Sequence, residues 1–80
     1  MTFTTIVTID GKIYTGCTCD AAVAKMREAG IFTCGKTNAE YMQFVADRAV
    51  RFNGVVLRID TADMFLRDMA THQLINLYIS

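Results

Sequence analysis

An α+β domain, with one sheet and helices packed mainly on one side of it, is the fold class this sequence predicts. Three observations point there. Two β-branched and aromatic runs, TFTTIVTI and KIYTG, meet at Asp10-Gly11, the strongest short hairpin signal in the chain. Thr37-Asn38-Ala39-Glu40 is a capping box that opens a long, apolar helical segment. The runs VVLRI and LINLYI bracket a further amphipathic segment. In chain order this reads ββααβαβ, one domain over residues 1–80, with short loops and no linker or repeat.

Each element has a local cause. A two-residue turn at Asp10-Gly11 places Ile9 opposite Lys12 and Val7 opposite Tyr14, so Phe3, Val7, Ile9 and Tyr14 share the expected core face. The first helix is expected from about Cys19 to Ala29. Thr18 caps it, Asp20 suits its positive start, and Gly30 suits a left-handed stop. Ala22, Val23, Met26 and Ala29 form its buried stripe.

The second helix runs from the capping box to about Phe52 and ends at Asn53-Gly54. Its wheel is lopsided. Glu40, Gln43, Asp47 and Arg51 make a narrow polar stripe, while apolar residues from Tyr41 to Phe52 cover most of the rest. Such a helix is either central in the fold or at an interface. Arg48 falls inside the apolar arc, with Phe44 and Phe52 four residues to either side. Two readings stay open there: an arginine stem lying along the rings with its head in water, or an arginine presented to an acidic partner. VVLRI (55–59) reads as a strand. Thr61 caps a third helix with the stripe Ala62, Phe65, Leu66 and Met69, and LINLYI (74–79) is the last strand. The final strand–helix–strand fits a parallel crossover or an antiparallel return.

At 52% AVILMFWYC the chain is apolar for its length, so it either packs unusually well or covers some of that surface with a partner. Eight basic and eight acidic residues cancel. That balance argues against direct, sequence-independent nucleic-acid binding, which needs a surplus of cations. No apolar run reaches the length of a membrane span, and MTFTTIVTIDGK lacks the basic start of a signal peptide. Three cysteines with no sign of secretion suit reduced thiols and a cytoplasmic setting.

Four motifs bear on chemistry. GIFTCGKT (30–37) matches the phosphate-loop pattern G-x-x-x-x-G-K-[ST], but it follows the tail of a helix instead of a buried strand. Gly30, Gly35 and Thr37 have local roles as stop, turn and cap, so a nucleotide cofactor is not expected. Cys17, Cys19, Cys34 and His72 are a poor zinc set, because C-x-C is tighter than a zinc knuckle and the single histidine is remote. Cys19 near a helix start has the position of a reactive thiol. Asp60 and Asp63 suit the start of the third helix better than acid–base work. With no catalytic set or cofactor motif, a non-enzymatic protein is expected.

The segments IDGKIYTG, NAEYMQFVADRAVRF and GVVLRIDTADMFLRDMATHQLINLYI give the whole chain a layout that resembles small proteins encoded by phages and mobile elements. Among these it is similar to anti-CRISPR inhibitors, which share no sequence signature. The resemblance implies a stoichiometric inhibitor that blocks a Cas complex or effector. Neutral net charge points to steric occlusion rather than nucleic-acid mimicry. The partner-binding residues expected are Arg48 and Arg51, with Lys25 and Arg27 as a second basic cluster. A homodimer through the second helix is compatible with this. The alternative is a winged-helix-like DNA-binding regulator, although the third helix carries two Asp against one Arg.

Overall fold

The structure, a computed structural model, describes residues 3–31 and 33–79. Strands β1 (Thr4–Thr8) and β2 (Ile13–Gly16) are followed by helices α1 (Cys19–Ala29), α2 (Asn38–Asn53) and α3 (Ala62–Thr71), then strand β3 (Ile75–Ile79). The three strands form one antiparallel sheet in the order β2-β1-β3. The chain is an α+β fold with helices packed on that sheet, as the patterning predicts. Helices α1 and α3 lie on the sheet, and α2 packs against those two helices. The core is built around the fully buried Ile6, Val23, Phe65 and Leu66.

The hairpin forms with a different register. Val7 pairs with Ile13 and Ile6 with Tyr14, so the connection has three residues, Ile9 to Gly11. Thr8 donates its N–H to the Lys12 carbonyl at 2.9 Å, and Gly11 donates to the Thr8 carbonyl. Gly11 sits at φ 90, the positive value such a loop requires. A one-residue slip reverses the faces. Thr4 and Ile6 therefore point into the core, while Phe3, Ile13 and Tyr78 are exposed and Ile9 is 81% exposed. The expected face of Phe3, Val7, Ile9 and Tyr14 is corrected accordingly, and only Tyr14 stays on the helix side, opposite Ile6. Gly16 closes β2 against α1: a methyl group there would lie 2.5 Å from the Ala22 nitrogen.

The helix boundaries match their sequence signals. The Thr18 and Thr61 hydroxyls accept the N–H groups of Ala21 and Met64. Both halves of the Thr37–Glu40 capping box form. Two details of α1 differ. Gly30 is extended rather than left-handed, and Ala29 is exposed. Gly54, after α2, does adopt the left-handed conformation, at φ 66.

Residues 55–59 are not a strand. They keep the alternation of one, with Leu57 buried and Val56 75% exposed. Both edges of β1 are already taken by β2 and β3. The extended chain is held by a side chain instead: Asp68 accepts the Arg58 backbone N–H at 2.9 Å and two guanidinium bonds at 3.0 and 2.8 Å. This pairing, led by the Arg58 side chain, lowers the Asp68 carboxyl from 3.8 to about 2. The order is therefore ββαααβ, and β3 returns antiparallel to β1.

Candidate functional site

The apolar arc of α2 does not make this helix central. Only Met42, Ala46 and Ala49 are buried, and they face α1 and α3. Val50 is 52% and Phe52 65% exposed. Tyr41 and Val45 pack partly against the core and Phe44 is half-buried, so the apolar side chains that α2 turns outward are Val50 and Phe52.

Arg48 organises that outer side. Its guanidinium carbon lies 5.5 Å from the Phe44 ring centroid and 5.2 Å from that of Phe52. The one-turn spacing of the three residues produces the stack. The head group itself, rather than only the stem, sits against the rings. Lys36 lies 5.7 Å from the same Phe44 ring. A ladder of Lys36, Phe44, Arg48 and Phe52 results, each contact favoured by the ring quadrupole.

Beside this ladder is an open cleft of about 490 Å³. Lys12 and Tyr14 of the hairpin form one wall, and Tyr41, Phe44, Val45 and Arg48 of α2 form the other. Met26 and Ala29 of α1 close its base, and the exposed Ile31 stands on the rim. Burial raises the Tyr41 hydroxyl above its usual range, with Tyr14 adding to the effect.

The acidic groups around this region are already engaged. The Asp10 carboxylate takes the Thr8 hydroxyl, and Glu40 accepts the Thr37 N–H at 2.9 Å. Both carboxyls are held below their ordinary range chiefly by those bonds. Asp47 accepts from Gln43 at 2.8 Å. Lys12, Lys36, Arg48 and Arg51 enter no ion pair among the described residues. Asp10 and Glu40 stay ionised near Lys12 and Lys36, while the charged residues that line the cleft, Lys12 and Arg48, are both cations.

Arg48 and Arg51 both lie exposed on α2, as the sequence places them. Lys25 and Arg27 do not form a cluster, because residues two apart on a helix point to opposite sides. Lys25 is exposed. Arg27 is a structural brace: its side chain is 18% exposed, its Nε donates to Asn38 at 3.0 Å, and its Nη1 donates to the Cys34 carbonyl at 3.3 Å. It ties α1 to the loop that leads into α2. The contribution of Lys12 and Tyr14 has no signal in the sequence, since only the packing of the hairpin and α2 on α1 brings them to one cleft.

The 30–37 loop bonds to itself. The N–H groups of Thr33 and Cys34 donate to the Gly30 carbonyl, that of Lys36 to Thr33, and that of Thr37 to Glu40. Those donors do not converge outward as a phosphate cradle requires. Cys17 and Cys34 are exposed and Cys19 is half-buried, its sulfur 3.7 Å from the Thr4 hydroxyl. No group of three potential metal ligands exists among the described residues. No helix there is long and apolar enough to cross a membrane.

No family model, curated protein or solved structure matches this chain.

Proposed function

We propose that this chain is a non-enzymatic binding protein that acts by docking the outer face of α2 onto an acidic protein surface. The observation that carries this reading is the exposed Arg48 guanidinium, stacked between Phe44 and Phe52 without a carboxylate partner among the described residues. Aromatic residues and arginine are the side chains that most often anchor interfaces. Here they occupy a helix of which only Met42, Ala46 and Ala49 are buried. Resemblance to anti-CRISPR inhibitors supplies the finer proposal: the partner is a Cas complex or effector, blocked by steric occlusion in the host cytoplasm.

The α3 surface gives little support to a DNA-binding regulator. Its Arg67 pairs with Asp63, and its Asp68 holds Arg58. A recognition helix needs cations free for phosphates.

Titration of the purified chain into reconstituted Cas effectors of different types, with target cleavage or target binding as readout, tests the proposal. One effector type is expected to lose activity with a break at equimolar inhibitor. Inhibition at far below one equivalent would indicate catalysis, and absence of inhibition across the panel would remove the Cas assignment.

A further inference from the structure

The cleft beside α2 has a chemical character that narrows what the docking partner presents. Its base, Met26 and Ala29, is apolar. Its two walls each end in a cation, Lys12 on the hairpin and Arg48 on α2. Neither cation is in an ion pair, and no acidic side chain lines the cleft, among the described residues. The volume, about 490 Å³, is ample for one large side chain.

From this geometry we infer that the cleft receives a short acidic segment of a partner protein, with one large apolar side chain on the base and flanking carboxylates against Lys12 and Arg48. Single-stranded nucleic acid also combines anions with flat rings, but it needs free ring faces for base stacking. Phe44 is faced by both Lys36 and Arg48, and Phe52 by Arg48. A buried apolar anchor ringed by charge contacts is the pattern of a protein hot spot. The inference deepens the docking reading and rests on it, but its readout is separate.

The test is an NMR titration of the ¹⁵N-labelled full chain with synthetic peptides. The acidic probe is acetyl-Asp-Asp-Trp-Asp-Asp-amide. Its controls are the same peptide with Ala for Trp, the same with Lys for Asp, and single-stranded oligothymidine. The acidic tryptophan peptide is expected to shift the amides of Tyr14, Met26, Tyr41 and Val45 saturably. The Ala and Lys peptides and the oligonucleotide are expected to bind far more weakly. Lys12→Glu and Arg48→Glu should each weaken the peptide by about tenfold, the scale of one reversed interface charge. The spectra also report whether each variant folds, and Arg48→Gln carries the same prediction at smaller magnitude.

The inference is overturned if those amides do not move, if the Lys or Ala peptide binds equally well, or if the oligonucleotide binds better. It is also overturned if dilution alone moves them, which would give the cleft to a second copy of the chain. Inhibition lost in Arg48→Glu while the wild-type cleft ignores the peptide removes only the cleft assignment. Peptide binding with inhibition untouched by Arg48→Glu removes the docking reading.

Discussion

Helix α3 turns Phe65, Leu66 and Met69 inward, and each of its charges is paired: Arg67 with Asp63, and Asp68 with Arg58. Helix α2 is longer and also rich in large apolar residues, yet it buries one methionine and two alanines and leaves Phe52 and Val50 in water. Its acids are tied to its own cap and to Gln43, and its two arginines are free of ion pairs among the described residues. One helix satisfies its side chains within the fold. The other satisfies only its inner edge. Large apolar groups and cations left outward are what the proposed docking face of α2 is made of.

The contrast can be broken most sharply by truncating one phenylalanine on each helix. Phe65→Ala empties a fully buried site and is expected to cost about 3–5 kcal/mol, enough to unfold much of a domain this small. Phe52→Ala is expected to change stability by about 0.5 kcal/mol or less. Thermal melts followed by circular dichroism compare them. Similar losses would mean that α2 contributes as much to the core as α3 does.

A smaller effect is expected at Gly16, where the hairpin meets α1. Gly16→Ala places a methyl 2.5 Å from the Ala22 nitrogen and 2.7 Å from the Ala21 carbonyl carbon, both backbone. The strand end must move, at about 1–3 kcal/mol, the usual cost of overpacking. Urea unfolding measures it. A neutral outcome would mean that the β2–α1 junction is looser than this geometry.

The subtlest effect is the pH dependence of the Asp68 clasp on Arg58. The folded carboxyl titrates near 2, below its unfolded value near 3.8. A lowered folded pKa stabilises above the unfolded value, and the contribution fades as pH falls through the folded one. The melting temperature of the wild type should therefore exceed that of Asp68→Asn at neutral pH, and the gap should close between about pH 4 and pH 2. A gap independent of pH would show that charge at Asp68 does not matter.

The parts of the molecule fixed by local chemistry were legible in the sequence. Thr18, Thr37 and Thr61 marked three helix starts, and the α3 stripe of Ala62, Phe65, Leu66 and Met69 is buried as its spacing predicts. What depends on long-range pairing was not. Asp10-Gly11 announces a hairpin, but a two-residue and a three-residue loop differ by one register step, and that step reverses the faces. Residues 55–59 have the composition and alternation of a strand, yet they pair with neither outer edge of the sheet and are held by Asp68 of α3 instead. The site divides the same way. Arg48 and its two phenylalanines follow from helical spacing alone. Lys12 and Tyr14 share a cleft with Arg48 and Phe44 only because α1 packs against both the hairpin and α2. Arg27 looked like a free cation because its partners, Asn38 and the Cys34 carbonyl, lie beyond a loop.

The most direct test of this division of labour is the Arg48→Glu, Arg51→Glu double variant, assayed for effector inhibition at a concentration where its melt confirms a folded state. Inhibition should disappear while the melting temperature stays within about 4–8 °C of wild type, the shift that 1 kcal/mol produces in a domain this size. Full inhibition by the folded double variant would show that the outer face of α2 is not where this protein meets its target.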